Sequence, residues 1–387
     1  MSEDTATDEL ASICNDQNIQ KGQWRDSSQL PHLSWDIGTA YDLFISLEVL
    51  LHPEDFGLRA SWAAGVRSRL NSEERDILES CDYLCGIPLH WIFSLKQPKN
   101  ATSALYGLHQ ISAEKRLETL VFTPDFSPKI INVYRNVSAR QKWNEKDLEN
   151  LRAAYLELEH ENKKRELIKN IEKTLDTWTD AAGFGERYLS TLESYYRAFF
   201  AEEEQRIRPV LEERLHQAQE LAEHIPLDEL FEKLSQGIHF KGFLSSRELI
   251  LAPSYWITPL IMFEQIAEGK TLVMFGARPP EASLVPGEVV PDALLRGLKA
   301  VSDPTRLSIL RFLSQESMTP AELSRLLRLR APTVTHHLKA LRLAGLVHLS
   351  FDLQAEGHYA ARLEAITELY THLMNYLINS SMDEAIE

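Results

Sequence analysis

Three helix starts crowd the stretch from Ser302 to Gly345, each signed by a proline at or near the first helical position. They constrain the fold of this chain more than any other feature. In "SDPTRLSILRFL", Asp303 is placed to cap the helix, and Pro304 lacks only an N–H that the first turn leaves unused. Leu307, Leu310 and Leu313 or Ser314 are predicted to form its inward stripe. In "TPAELSRLL", Thr319 and Glu322 have the spacing of a reciprocal capping box, with Pro320 first in the helix. After the short turn "RLRA", Pro332 opens a third helix that Gly345 ends with a left-handed turn. Two helices separated by about four residues have the spacing of a helix-turn-helix.

Successive helical residues are about 100° apart, which sorts the third helix, "PTVTHHLKALRLAG", by face. With Val334 at zero, Leu338 falls at about 40° and Leu341 at about −20°, the side that packs on a core. Thr335, Lys339 and His336 fall at about 100°, 140° and 200° and point outward, whereas His337, at about −60°, lies beside the core. The two adjacent histidines therefore do not share one ligand or one task. Thr333, Thr335, His336, Lys339 and Arg342 offer hydroxyl, imidazole and cationic donors suited to the base edges and phosphates of double-stranded DNA. Most sit in the N-terminal half of the helix, the half that enters a major groove. Thr319, Arg330 and Arg362 complete the set predicted to touch DNA. His337 is predicted to be a boundary residue bonded to backbone or phosphate.

Two alternating runs, "LVHLSF" and "HYAARL", flank a turn region, "DLQAEG", and predict a β-hairpin wing. The last helix, "EAITELYTHLMNYLIN", puts Ile366, Leu369, Tyr370, Leu373, Tyr376 and Leu377 on one face and Glu368, Thr371, His372 and Asn375 on the other. So strong a stripe requires cover. The small module has little core to spare, so a partner subunit is the expected cover and the chain's own N-terminal region the rival.

Charge supports the same partner. The whole chain carries a formal −16, which argues against nucleic acid until its distribution is seen. Arg296 to Arg342 holds nine Lys/Arg against three Asp/Glu, whereas residues 1 to 290 hold 31 basic and 46 acidic side chains. One basic module is joined to an acidic body.

The 387 residues are too many for one ordinary domain. Residues 1–34 are polar and aperiodic and are expected to be a flexible arm. Residues 35–276 read as a mainly helical domain with short strands near 248–276, where "ELILAPSYWITPLIMF" and "KTLVMFGARP" are rich in β-branched and aromatic residues. Pro209 is expected to kink or divide the long charged helix that contains it. The four prolines of 277–291 read as a linker, 292–380 as the winged module, and 381–387 as an acidic tail. The fold class is therefore mainly α, a large helical N-terminal domain with a few strands followed by an α+β winged helix-turn-helix.

The run "KAVSDPTRLSILRFL…MTPAELSRLLRLRAPTVTHHLKALRLAGLV" resembles the winged helix-turn-helix of the arsenic-repressor (ArsR) family of bacterial transcription regulators. The resemblance spans Asp292 to about Ser380, and caps, turn, histidine pair and terminal "AGLV" recur in register. It implies a homodimer that binds a palindromic operator and represses until an effector loosens it. The DNA-reading positions it implies are Thr333, Thr335, His336 and His337. It also implies dimerisation through the first and last helices of the module, hence through Leu294, Leu298, Ile366, Leu369, Tyr370, Leu373 and Leu377.

Three departures narrow that reading. "TPAELSRLLRL" lacks the cysteine pair of metal-sensing members, and the last helix holds only His372 where others space several ligands. The wing carries Asp352 and Glu356 with Arg362 as its basic residue, where the family is arginine-rich. A non-metal effector is therefore expected, with no metal and no cofactor. Further upstream, "YYRAFFAEEEQRIRPVLEERL" with "ELILAPSYW" and "TLVMFGARP" resembles an uncharacterised domain that precedes the winged helix in some large ArsR-type regulators. Its role stays open between sensing a small-molecule effector and serving as a dimerisation and spacing body. A winged-helix module that binds protein rather than DNA is the alternative for the C-terminal part.

Other classes find little support. No GxSxG, HExxH or phosphate-cradling glycine loop is present, so no catalytic residue is assigned and an enzyme is not expected. Leu249 to Phe263, the longest uncharged run, is too short for a bilayer and holds two prolines. The acidic start lacks a secretory pattern, which leaves the cytoplasm as the default. Cys81 and Cys85 in "CDYLC" lie one helical turn apart near His90, where buried thiols are preferred over metal or redox sensing.

Overall fold

The structure is a computed structural model that describes residues 31–84, 86–124, 126–158, 161–240, 246–282, 290–351 and 357–378. Residues 1–30 of the expected arm, the wing tip with Asp352 and Glu356, Cys85, and the acidic tail lie outside the described residues. The body comprises α1 (Thr39–Leu51), α2 (Ala60–Arg67), α3 (Ser72–Leu84), α4 (Leu89–Ser94), α5 (Ala101–Gln110), α6 (Ala113–Val121), α7 (Pro128–Arg140), α8 (Glu145–Leu156), α9 (Glu161–Lys169), α10 (Ile171–Thr179), α11 (Ala181–Tyr195), α12 (Ala201–His224) and α13 (Leu227–Leu234). Its strands are β1 (His32–Trp35), β2 (Ile238–Phe240), β3 (Glu248–Ser254), β4 (Ile261–Ala267) and β5 (Lys270–Gly276). The C-terminal part comprises α14 (Asp292–Val301), α15 (Pro304–Leu313), α16 (Pro320–Leu327), α17 (Ala331–Leu343), β6 (Val347–Phe351), β7 (Gly357–Ala361) and α18 (Leu363–Ile378). The molecule is mainly α and ends in a winged helix.

Helix α1 explains how the body is organised. "TAYDLFISLEVLL" is apolar almost all round, and such a helix is stable only when enclosed. Residues 39–47 are all buried, with α2, α3, α4, α5, α12 and β3 packed around them. The sheet beside it has the order β1-β3-β5-β4, with β1, β3 and β5 parallel and β4 antiparallel to β5. Leu249–Ser254 and Thr271–Gly276 are buried throughout, as a strand covered on both faces requires.

Several expectations change. His32–Ser34, assigned to the arm, belong to β1, which pairs with Glu248–Leu251. A four-residue edge strand with the sequence "HLSW" carries too little pattern to be recognised alone. Pro209 does not divide its helix, because α12 runs from Ala201 to His224 with the proline inside, directly after a π-helical turn at Tyr196–Phe200. The linker is anchored at its start: Ala277 and Arg278 are buried, and Arg278 donates to Thr258 Oγ1 from its backbone (3.0 Å) and to Thr258 O from its guanidinium (2.7 Å). His90, close to Cys81 in sequence, bonds to β4 and to α6. Its Nδ1 lies 3.0 Å from Glu264 Oε1 on β4 and its Nε2 3.1 Å from Thr119 O.

The C-terminal module closes its own core with Ile309, Leu310, Leu313, Leu323, Val334, Leu338 and Leu341. Leu307 is not part of it and stands 50% exposed, since Ile309 takes the inward place. The wing hairpin β6–β7 is antiparallel as expected, but its sheet has a third strand. β2, from the body, pairs in parallel with β6 in the order β2-β6-β7. Body and module are therefore joined by a shared sheet.

Candidate nucleic-acid interface

Local chemistry sets the reading helix. In α15, Asp303 accepts from Arg306 N–H at 2.8 Å, and this bond holds its carboxyl below the usual carboxylate range. In α16 both halves of the capping box form: Glu322 N–H donates to Thr319 Oγ1 (3.3 Å) and Thr319 N–H to Glu322 Oε2 (2.8 Å). The Thr319 hydroxyl also donates to Glu322 Oε2 at 3.0 Å. Thr319 is thus committed to holding a helix end, the chemical reason a hydroxyl stands there. Arg328 takes the left-handed conformation (φ 56°) after α16, and Arg330 precedes α17 in extended backbone.

Along α17, Val334, Leu338 and Leu341 are buried against the module core as the helical angles predict. Thr333 and His336 are exposed, as are Arg330 ahead of them and Arg325 and Arg328 on the end of α16. Arg330, Thr333 and His336, spaced three residues apart, make a short exposed strip at the start of α17, and Arg325 and Arg328 add exposed cations at the end of the helix before it. Lys339 continues the strip by one turn but meets the body, with its Nζ 2.5 Å from Asp55 Oδ1 in the 3-10 turn Pro53–Phe56.

Three predicted contacts need correction. Thr335 is only 2% exposed and donates its hydroxyl to Ala331 O (3.1 Å), so its expected outward direction is wrong for this chain. Arg342, seven residues on and on the same side, is also 2% exposed. Its guanidinium donates to Ser235 O (2.6 Å) and Gln236 O (3.2 Å) at the turn between α13 and β2. Helical angles locate the face toward the module's own core but say nothing of the body that covers a second face. Arg362 likewise turns inward, donating to Gln236 O (3.2 Å) and Gly345 O (2.8 Å) and pairing with Glu364 (3.1 Å). It fastens the wing base and leaves no basic side chain reaching outward from that position.

His337 occupies the boundary place expected for it. Its side chain is 14% exposed, with Nδ1 3.9 Å from Asp303 Oδ1 and no hydrogen-bond partner among the described residues, so the expected backbone bond is not made. Burial pushes its imidazole below the usual histidine range, partly offset by the Asp303 charge. The ring is thereby kept neutral near pH 7.

The first and last helices of the module pack on one another. A Cβ at Gly297 would lie 2.5 Å from a methyl of Leu369, so the two helices approach closely there. Leu294 is buried, Leu298 partly so, and Ile366, Leu369 and Leu373 are half-buried. Tyr370 is 64% exposed and Leu377 59%, and neither is covered by the body that was the rival candidate.

Sequence reasoning missed Asp55, Ser235 and Gln236, which touch the reading helix from 284, 107 and 106 residues away, and no local pattern marks them. Arg325 and Arg328 were legible in principle, since both fall on the outer face of a capped amphipathic helix.

The fold and this exposed strip define a winged helix-turn-helix module. Residues 303–348 match the model of the family described as "Bacterial regulatory protein, arsR family", and the chain carries an ArsR-type helix-turn-helix domain. That domain supports a DNA-binding transcriptional regulator. The match does not extend into the body, and comparison with curated proteins and with solved structures found no match. Among the described residues no helix is long and apolar enough to cross a membrane.

Proposed function

We propose that the chain is a sequence-specific, homodimeric transcriptional regulator that binds a palindromic operator through α17. The observation that carries this reading is the strip Arg330, Thr333 and His336, exposed on a helix whose opposite side is locked in the core of a family-matched module. Thr333 and His336 face base edges in the major groove, and Arg325, Arg328 and Arg330 face phosphates. The uncovered Tyr370 and Leu377 belong to the subunit interface.

The body senses a small-molecule effector through its contacts with the reading helix. A cavity of about 210 Å³ lies where they meet, lined by Leu58, Asp292, Arg296, Lys299, Arg306 and Leu343. Burial lowers the Arg296 guanidinium to about 10. A ligand seated there would press on the same surfaces that hold Lys339 against Asp55.

Gel-shift titration against DNA from the chain's own promoter region tests the reading. His336→Ala and Arg330→Ala should each weaken specific binding by about 1–3 kcal/mol. His336→Ala alone should relax base preference, because phosphate contacts carry no sequence information. Unchanged binding by the double variant would refute the assignment of α17.

A further inference from the structure

At the shared sheet, side chains from three separate places converge. Ile238 pairs with Leu349 and His239 with Ser350 across the parallel β2–β6 ladder. Side chains alternate along a strand, so His348, two residues before Ser350, lies on the same face as His239. His239 Nε2 and His348 Nδ1 are 3.1 Å apart. Glu232, in α13, places Oε1 3.4 Å from each of these nitrogens.

Those three separations form a nearly equilateral triangle of lone-pair donors. Donors around a tetrahedral zinc ion at about 2.0–2.1 Å are about 3.3–3.4 Å from each other, which is the size of this triangle. Hydrogen bonds can make at most two of the three contacts at once, because each ring nitrogen carries at most one proton and the carboxylate oxygen only accepts. A cation at the centre accepts all three lone pairs. The second ring nitrogen of His348 is 3.4 Å from Glu364 Oε1. A carboxylate there favours the Nε2–H tautomer and turns the Nδ1 lone pair toward the triangle, as outer carboxylates do for metal-bound histidines.

The backbone is also shaped to this approach. Gly237 has φ +104°, and a Cβ on it would lie 3.3 Å from His348 Nδ1 and 2.6 Å from Arg362 Cδ. The tight turn that brings β2 from α13 onto β6 therefore admits only glycine.

We infer that Glu232, His239 and His348 form a binding site for a divalent transition metal of the zinc class, with water as the fourth ligand. Imidazole with one carboxylate suits zinc and its first-row neighbours better than magnesium or calcium. The ligands come from both the body and the wing, so the ion fastens one to the other. The residues differ from the cysteine and last-helix positions considered from the sequence, and the site stands whether or not α17 binds DNA.

The test uses untagged full-length protein stripped with chelator. Zinc is titrated in competition with a chromogenic chelator and cobalt is followed by its ligand-field bands, while circular dichroism monitors folding. One zinc per chain, tetrahedral-type cobalt bands and a zinc-dependent rise in Tm are expected. His239→Ala and His348→Ala should lower zinc affinity more than tenfold, Glu364→Gln less, and His372→Ala not at all. His239→Gln and Glu232→Gln, on the more exposed side of the site, report the same loss if His348→Ala does not fold. Absence of zinc and cobalt binding by the wild-type chain, or binding unchanged in the folded His239 and Glu232 variants, overturns the proposal.

Discussion

Lys339 on the reading helix and Asp55 in the body are held 2.5 Å apart across 284 residues of chain. Both side chains keep partial solvent access, at 29% and 41%, so the pair contributes little to stability. Its effect is electrostatic: it neutralises a cation that lies one turn beyond His336 on α17.

Removing Asp55 should therefore release a phosphate contact. Asp55→Ala is expected to tighten DNA binding and to steepen the dependence of log K on log salt by about 0.9 per Lys339 contact freed. Fluorescence anisotropy over a salt series measures both. A slope identical to wild type would mean that Lys339 meets no phosphate.

Arg342 acts in the opposite sense, as a fastener rather than a reader. Arg342→Met keeps the stem and deletes the donors to Ser235 O and Gln236 O, which should cost about 2–3 kcal/mol in urea unfolding. A loss of DNA affinity without a loss of stability would instead return Arg342 to the set of DNA contacts.

The uncovered face of α18 gives a separate test. Tyr370→Lys with Leu377→Lys puts two charges where the dimer reading needs apolar contact, on a face already open to solvent. Sedimentation is expected to show a dimer for the wild-type chain and a monomer for this double variant at the same concentration, with the circular dichroism spectrum preserved.

Asp42 makes stability depend on pH. It is fully buried on α1, and its Oδ1 accepts from Ser254 Oγ (2.7 Å) and Trp256 N–H (3.0 Å) while Oδ2 has no partner among the described residues. Burial pushes its carboxyl up to about 7, against about 4 in an unfolded chain. The folded state thus retains a proton that the unfolded state gives up, and the penalty is absent below about pH 4 and complete above about pH 7. Stability from this group falls as pH rises through that window. Asp42→Asn cannot ionise and should gain about 2–4 kcal/mol relative to wild type between pH 4 and 8, read from urea midpoints at each pH. A constant difference would show that Asp42 is ionised throughout.

The winged module was legible because its signals are short-range. Asp303, the Thr319–Glu322 box, Pro304, Pro320 and the Val334–Leu338–Leu341 stripe each act within one or two helical turns, and all take their expected places. The errors arose where the covering group is distant in sequence. Nothing near Arg342 marks the approach of Ser235 and Gln236, and nothing near His348 marks Glu232 or His239. Strand β2 escaped notice because three residues, "IHF", show no alternation, and its pairing with β6 depends on a turn at Gly237 more than on its own pattern.

Strand β2 also sets how the molecule can be divided. A fragment starting at Asp292 would retain every cap and every core leucine of the module yet leave the outer backbone edge of Leu349–Phe351 bare. Such an unguarded edge invites other chains to add on, which folded proteins otherwise take care to prevent. The reading head is therefore not transplantable. A fusion or truncation that keeps it intact must carry along the upstream turn from Leu227 to Phe240, and cuts made at the apparent domain border should yield aggregates instead of a smaller DNA-binding protein.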